Sequence, residues 1–405
     1  MAHLRRGLKA MLEKSPDDIV FLSALRTPVT RSFKGKLASA HAEQLLATVL
    51  QATRTQLPSL DPSEVSDVAV GTVLSELGGQ KAGRAALLHA GYLDSTALYT
   101  VNRACSSGLQ AVTNIADAIA SGRMDMGIGG GMESMTRNYG SKAIPTVVWE
   151  KLRESNVQAA RDCLLPMGIT SENIARRYGI SRADQDAFAL VSHTKAAKAQ
   201  AEGRFKDEIV PVELLSDTGD VIAVIEDDGI RPNASLEQLA KLKPAFLPDG
   251  ASTAGNSSQV SDGASLILMA RRSTATRLGL NDHILGKWAR SAVAGVAPDE
   301  MGVGPAVVIP KMLQSAGISA SEVNVWEINE AFASQALYCI DKLGIDMDKV
   351  NPNGGAIALG HPLGATGARQ LTTLLHHLKR TGQTVGVVSM CIGTGMGKSA
   401  LILSE

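Results

Sequence analysis

The chain has 405 residues, 44% of them hydrophobic and 20% charged, a composition typical of a globular protein with several domains or a duplicated unit. Lys and Arg together number 40, as do Asp and Glu, and this zero net charge argues against a nucleic-acid partner. No apolar run approaches the roughly 20 residues of a membrane-spanning helix, so membrane insertion is not expected.

Short apolar runs alternate with helical patterns, which predicts an α/β fold. A helix is predicted to begin at Cys105-Ser-Ser-Gly108, because apolar residues recur at helical spacing from Leu109 to Ile119 and Gly122 follows. The other predicted elements of this part are, in chain order, strand Ile19–Leu25, helix Leu37–Gln56, strand Val65–Leu74 and strand Met124–Ile128, which ends at Gly129, Gly130 and Gly131.

The last third of the chain repeats this plan. Its predicted elements are strand Val323–Ile328, a Gly-rich turn Gly360–Gly364 that opens a helix with Leu371, Leu374, Leu375 and Leu378, a closing Gly382, and strand Val385–Met390. Val65 and Val323 are separated by nearly the same number of residues as Gly122 and Gly382, which favours a duplicated α/β unit. Chance similarity of two α/β units is the alternative.

The stretch between the copies has a different character. Residues 136–250 are richer in charge, with a helical pattern at Ser181–Phe205, and are predicted to form a lid or substrate-binding insertion on the first copy. Strand Ser265–Met269 is predicted to return to that copy. The resulting division is an N-terminal extension (1–17), a first half (18–135 with 251–275), a loop domain (136–250) and a second half (276–405).

Cys105 is the first candidate for chemistry. The four cysteines form no Cys-x-x-Cys pair and no Cys/His cluster, so a metal site is not expected and reduced thiols in an intracellular compartment are predicted. A thiol at the first turn of a helix faces unpaired N–H groups and the positive end of the helix dipole, which favours the thiolate. A buried structural cysteine is the alternative interpretation of Cys105.

His361 and Cys391 are the candidates from the second copy. His361 lies in the Gly-His-Pro turn, at the place equivalent to Cys105, so a duplicated fold would bring the two together as base and nucleophile. Cys391 follows the strand Val385–Met390, beside glycines, where a second thiol can act as an acid or base. A hydrogen-bonded loop histidine and a buried core cysteine are the corresponding structural interpretations.

Asn329 is predicted to begin a helix at the end of strand Val323–Ile328. An N-cap role explains an asparagine at this point, and a side chain that holds a catalytic water is the functional alternative.

Four motifs together carry a family resemblance: Asn102-Arg-Ala-Cys105-Ser-Ser-Gly, Asn329-Glu-Ala-Phe-Ala, Gly354-Gly-Ala-Ile-Ala-Leu-Gly-His361-Pro-Leu-Gly and Cys391-Ile-Gly-Thr-Gly-Met-Gly. In this order and spacing they resemble the thiolase family from about Asp18 onward. The sequences around Pro166 and Met301 are most similar to those of peroxisomal 3-ketoacyl-CoA members of fungi and plants.

The resemblance implies the thiolase fold. In that fold two βαβαβαββ halves form a five-layered α-β-α-β-α body, with a loop domain over the active site. It also implies a homodimer or tetramer that acts on 3-ketoacyl-CoA and coenzyme A, without a metal or redox cofactor.

The same resemblance implies a role for each motif residue. Cys105 is the nucleophile, activated by His361, and Cys391 is the second acid/base. His361 and a water held by Asn329 stabilise an enolate, and the N–H groups of Cys105 and Gly393 form a second oxyanion hole. The matching positions for coenzyme A are Ser258, which contacts the pantetheine arm, and Met167, which lines the thioester pocket.

Other members of the family are the alternatives. A biosynthetic acetoacetyl-CoA thiolase shares the chemistry, but such relatives often carry His where this chain has Pro166, which favours longer acyl substrates. A non-catalytic acyl-CoA-binding relative is disfavoured because all catalytic positions are filled. A decarboxylating condensing enzyme would carry His or Asn in place of Cys391.

The compartment is suggested by the N-terminus. Peroxisomal relatives carry a bipartite address that ends in His-Leu, and His3-Leu4 matches its second half without the first. The last residues, Leu-Ser-Glu, differ from the Ser-Lys-Leu address. A peroxisomal location is expected, and a cytoplasmic form and a chance His-Leu pair are the alternatives.

Overall fold

A computed structural model of the chain describes residues 5–141, 143–216 and 218–405, so the His3-Leu4 pair lies outside the described residues. The strands are β1 Ile19–Arg26, β2 Thr30–Arg31, β3 Asp67–Gly71, β4 Ala97–Val101, β5 Met126–Ser134, β6 Val212–Leu215, β7 Val221–Val224, β8 Ser261–Arg271, β9 Gly286–Gly295, β10 Val325–Ile328, β11 Val385–Ile392 and β12 Met396–Ser404.

The α-helices are α1 Leu8–Leu12, α2 Ala42–Gln56, α3 Gln80–His89, α4 Ser107–Ala120, α5 Met135–Asn138, α6 Glu150–Arg153, α7 Gln158–Asp162, α8 Met167–Tyr178, α9 Arg182–Ala201, α10 Leu236–Ala240, α11 Arg272–Arg277, α12 Gly304–Ala316, α13 Ala333–Leu343, α14 Ala356–Leu359 and α15 Thr366–Thr381. In the part of the chain that the structure describes, no helix is both long and apolar enough to cross a membrane.

The strand order shows the predicted duplication. The first half follows the order β4-β3-β5-β8-β1, and the second half follows β10-β11-β12-β9. Each half begins with parallel pairing, β3 with β5 and β10 with β11. Each then continues with antiparallel pairing, β5 with β8 and β11 with β12. A parallel bridge from Trp326 to Val350 stands where β4 stands in the first half. A short antiparallel pairing, with Ile19 opposite Trp288, joins the two halves.

Among the described residues, three large apolar clusters define five layers. The first lies between α2, α3 and the outer face of the first half's sheet, and includes Leu46 and Leu87. The central cluster packs α4 and α15 between the two sheets, with Leu109 and Leu371 fully buried. The third lies between the second half's sheet and α12 and α13. The order is therefore helix, sheet, helix, sheet, helix, and both helices whose starts carry candidate residues lie in the central layer.

Residues between β5 and β8 form a separate group of short helices, the long α9 and the hairpin β6–β7. The fully buried Arg26 of β1 ties this group to the first half. Its guanidinium donates to Glu208 at 2.7 Å and to both carboxylate oxygens of Asp227 at 2.7 and 2.9 Å. This network satisfies charges that would be costly to bury alone, so it fixes the intervening region against β1.

The predicted start of helix α2 was wrong for a local reason. Helix α2 begins at Ala42 instead of Leu37. The N–H groups of Lys36 and Leu37 donate to the side chains of Asp228 and Thr30, which hold this segment as a turn. In α9, by contrast, the predicted start is close, because Ser181 caps the helix through a capping box with Asp184.

The glycines after the predicted strand Met124–Ile128 lie inside β5, which continues to Ser134. Glycine is required there because neighbouring backbones come very close. A Cβ on Gly129 would lie 2.6 Å from the Cα of Val112 in α4, and a Cβ on Gly131 would overlap the carbonyl oxygen of Gly364. The glycine run therefore marks close packing, against α4 at Gly129 and against the second half at Gly131, and does not end the strand.

We expect Gly131→Ala to destabilise the protein, since the added methyl group collides with the backbone of the second half. Overpacking of this kind costs about 1–3 kcal/mol, and a lower thermal denaturation midpoint would report it. Gly295→Ala is the matched control, because Gly295 ends a strand with no atom within 4 Å of the added Cβ. Equal midpoints for the two variants would contradict this account of the interface.

Candidate active site

Cys105 lies in the turn between β4 and α4, two residues before the helix begins at Ser107. The preceding residue, Ala104, has a φ of 43°, an unfavourable conformation for a residue with a Cβ. The backbone N–H groups of Gly393 and of Cys105 itself act on the sulfur and lower the pKa of the thiol. The thiol is buried, and the two N–H groups that act on it come from different halves of the fold.

Burial opposes the expectation that Cys105 is a thiolate. Burial raises the pKa of the Cys105 thiol above its ordinary value and outweighs the hydrogen bonds from the N–H groups of Gly393 and Cys105, which lower it. The negative charge of Glu133 raises the pKa further. Because the thiol is neutral in the resting site, it needs a base to become a nucleophile.

His361 lies in the turn between α14 and α15, five residues before α15 begins, so its place is not strictly equivalent to that of Cys105. Its backbone N–H donates to Gln259 O at 3.0 Å and lies 3.2 Å from Ser261 Oγ. Burial, and secondly the charge of Arg369, lower the pKa of His361 to about 3. The imidazole is therefore neutral near pH 7 and able to accept a proton.

The two turns meet directly although they belong to different halves. A Cβ added to Gly108, near the start of α4, would lie 2.7 Å from Gly364 O in the His361 turn and 3.1 Å from Ala368 N in α15. This approach is possible only because Gly108 lacks a side chain. It brings the turns that carry the predicted nucleophile and the predicted base side by side.

Asn329 does not cap a helix, since α13 begins at Ala333 with Phe332 as its N-cap. Its backbone N–H donates to Ser389 O at 2.9 Å, which continues the pairing of β10 with β11. Its side-chain Nδ2 lies 3.5 Å from His361 Nε2. Its Oδ1 is buried and accepts no hydrogen bond within the described residues, so the side chain faces the site and keeps a free acceptor there.

Cys391 lies within β11, opposite Gly397, and does not follow the strand as predicted. It belongs to a small buried apolar cluster with Met301, Ala331 and Phe332, against which Met167 packs. Burial raises the pKa of the Cys391 thiol well above its ordinary value, and the charge of a Cys105 thiolate raises it further. Cys391 is therefore a protonated thiol within electrostatic reach of Cys105.

The two positions expected to contact coenzyme A lie close to these groups. A Cβ added to Gly393 would lie 3.3 Å from Met167 Sδ, so the side chain of Met167 lies beside Gly393. The N–H of Ser258 donates to Ala331 O at 3.0 Å, and Ser258 is partly exposed. Both residues therefore lie at the edge of the Cys391 cluster.

Glu133 in β5 is a residue that the sequence analysis missed. Its carboxylate, fully buried, accepts the N–H groups of Val73 at 2.9 Å, Leu74 at 3.2 Å and Gly364 at 2.9 Å. Burial raises the pKa of Glu133 to about 7 in spite of these hydrogen bonds. An acidic residue within a buried glycine-rich strand was the signal available in the sequence.

The second missed residue is Thr366, the first residue of α15. Its Oγ1 lies 2.6 Å from His361 Nδ1. The sequence offered only a hydroxyl near a glycine-rich turn, which is common at helix starts.

The assembled groups are a neutral thiol beneath two N–H donors, a neutral imidazole next to an amide, and a second thiol. This set can form a covalent adduct with a carbonyl, transfer protons at two places and stabilise an oxyanion. In the described ranges, 5–141, 143–216 and 218–405, no group of three or more His, Cys, Asp or Glu residues could hold a metal ion.

Comparison with known proteins agrees with this geometry. The family model described as the thiolase N-terminal domain matches residues 19–273, and that of the thiolase C-terminal domain matches residues 282–404. The chain is 52% identical over 394 residues to 3-ketoacyl-CoA thiolase B, peroxisomal, of Rattus norvegicus, which covers 96% of this chain and 91% of that protein.

Solved structures agree as well. The crystal structure of the dimeric peroxisomal thiolase of Saccharomyces cerevisiae matches with a TM-score of 0.91 at 46% identity, covering 98% of this chain and 100% of that one. A second structure of peroxisomal 3-ketoacyl-CoA thiolase from that yeast matches with a TM-score of 0.81 at 43% identity, covering 97% and 100%.

That second structure is described as five-layered and built from two core domains of identical topology, which confirms the predicted fold class. The family models together span most of this chain, and the relatives align over nearly all of it. The chain therefore belongs to the thiolase family.

Proposed function

We propose that this chain is a 3-ketoacyl-CoA thiolase, an acetyl-CoA C-acyltransferase of fatty acid β-oxidation. It cleaves 3-ketoacyl-CoA with coenzyme A to acetyl-CoA and an acyl-CoA shortened by two carbons. The observation that carries the proposal is the Cys105 sulfur beneath the N–H groups of Cys105 and Gly393, in a turn packed against that of His361. The name of the rat relative supports the substrate class.

In the first half-reaction His361 Nε2 takes the Sγ proton of Cys105, and the sulfur attacks the 3-keto carbon. The bond between C2 and C3 then breaks, leaving an acyl-Cys105 thioester and the enolate of acetyl-CoA. His361 and a water bound by the free Oδ1 of Asn329 stabilise the enolate oxygen. The buried thiol of Cys391 gives its proton to C2, which releases acetyl-CoA.

In the second half-reaction the Cys391 thiolate takes the thiol proton of incoming coenzyme A. The sulfur of coenzyme A attacks the acyl-Cys105 carbonyl, and the N–H groups of Cys105 and Gly393 stabilise the tetrahedral oxyanion. Cys105 leaves as a thiolate and recovers its proton from His361. Coenzyme A is thus a substrate, and the chemistry requires no metal or redox cofactor.

Ser258 and Met167 are proposed contacts for coenzyme A. Met167 lies over Gly393, where the thioester must sit, and Ser258 lies at the partly exposed edge of the Cys391 cluster. The region 136–250, proposed as a loop domain between 18–135 and 251–275, supplies Met167 from α8. The second half is proposed to span 276–405 and the N-terminal extension 1–17.

We also propose a homodimer in the peroxisome. The yeast thiolase of similar structure is dimeric, and among the described residues β4 ends the strand order with an edge that a second copy can cover. The rat and yeast relatives are named peroxisomal. Light scattering in solution and imaging of the full-length product in cells test the two statements, and a monomer or a cytoplasmic signal would contradict them.

Cys105→Ser is expected to lower thiolysis of 3-ketoacyl-CoA by at least about a thousandfold, because the reaction loses its covalent intermediate. In the unmodified enzyme, mass spectrometry after incubation with substrate alone should find the acyl group on Cys105. Cys339→Ser is the matched control, since Cys339 is a buried thiol in α13 that bonds Gly302 O at 3.3 Å and has no proposed role in the reaction.

Two outcomes would contradict the assignment. Full activity of the Cys105→Ser enzyme would show that Cys105 is not the nucleophile. An unmodified enzyme that is inactive on 3-ketoacyl-CoA of every chain length would disprove the proposed function. Comparing acetoacetyl-CoA with longer 3-ketoacyl-CoA substrates separates the two thiolase types. Activity restricted to acetoacetyl-CoA would identify the biosynthetic type instead.

The resting Cys105 is expected to be a neutral thiol at pH 7, since burial raises its pKa. The ultraviolet spectrum of the enzyme minus that of Cys105→Ser should lack thiolate absorbance at pH 7 and gain it only above the ordinary pKa of a thiol, about 8.5. Because the pKa of His361 is lowered to about 3, the imidazole should stay neutral as the pH falls through 6.5.

The difference spectrum with Cys339→Ser gives the baseline for this measurement, because burial raises the pKa of Cys339 to about 12. Thiolate absorbance from Cys105 at pH 7 would show that the N–H groups and the imidazole outweigh burial, contrary to our expectation.

A further inference from the structure

The side chain of Thr366 is fully buried and contacts the imidazole of His361 on the side away from Asn329. Its Oγ1 lies 2.6 Å from Nδ1 of His361 and donates to Pro362 O at 2.9 Å. On the other side of the ring, Nδ2 of Asn329 lies 3.5 Å from Nε2. Both ring nitrogens therefore face a neighbour whose hydrogen-bonding capacity is known.

These neighbours select one form of the neutral ring. A threonine hydroxyl has a single proton, and Thr366 uses it for Pro362 O, so its lone pairs face His361. Nδ1 must then carry the hydrogen and donate it to Thr366. An amide nitrogen such as Nδ2 of Asn329 can only donate, which requires a lone pair on Nε2. Both contacts favour the Nδ1–H tautomer.

We propose that Thr366 is a positioning residue that holds His361 in the Nδ1–H tautomer, so that Nε2 carries a lone pair that can take the proton of Cys105. The inference rests on the proposed role of His361 as the base. When Nε2 accepts the proton, the Nδ1–H group keeps its bond to Thr366, so the ring does not turn during the transfer. The opposite tautomer would point an N–H group at the site and could not act as a base.

Thr366→Val tests the proposal, because valine keeps the shape and removes the hydroxyl. We expect kcat to fall at least about tenfold, by analogy with the loss of a group that orients a metal-bound histidine, with little change in KM for coenzyme A. Thr366→Ser restores the hydroxyl and should recover most of kcat. Thr372→Val is the matched control, since Thr372 is equally buried in α15 and bonds Ser265 Oγ at 2.9 Å.

The tautomer itself is measured by ¹⁵N solid-state NMR of enzyme labelled at Nδ1 of histidine, with His361→Asn identifying the His361 signal. The proposal requires a protonated Nδ1 in the unmodified enzyme and an added unprotonated Nδ1 population in Thr366→Val. An unprotonated Nδ1 in the unmodified enzyme overturns it, as does an unchanged kcat in Thr366→Val. Since the signal needs no turnover, an inactive unmodified enzyme would instead count against the proposed function.

Discussion

The site depends on one contact between the two halves, where the turn that carries His361 lies against the end of β5. Gly131 allows the carbonyl of Gly364 to approach its backbone, and Glu133 two residues later accepts the N–H of Gly364 at 2.9 Å. Cys105 belongs to the first half and His361 to the second, so the distance between them depends on the contact between the halves. Small residues on both sides leave the backbone no room to shift, and the buried carboxylate fixes its orientation.

Burial also decides the resting state of the reacting groups. It raises the pKa of both site thiols and lowers that of His361, so the closed site holds uncharged partners. An ion pair between Cys105 and His361 would be costly there, because burial penalises both charges. The position of Cys105 just before α4 does not reverse this, because the thiol is buried.

Much of the fold followed from the sequence because duplication leaves local marks, such as helix-closing glycines and matching strands. The site was less accessible, since the same local pattern serves two purposes. Asn329 before a helix suggested a cap, yet its amide faces His361, and nothing local distinguishes the two. Glu133 and Thr366 act through partners that only the assembled halves bring close, so no spacing in the sequence announces them.

The two copies have divided the work between matched positions. When Val65 is matched with Val323, Gly71 corresponds to Asn329, and the register of the parallel strands then places Met132 in the position of Cys391. The second copy thus has the polar amide and the thiol where the first copy has glycine and methionine. A Cβ on Gly71 would collide with the backbone of Ser107. The first copy therefore uses these positions for close packing, and that packing places the chemistry of the second copy beside Cys105.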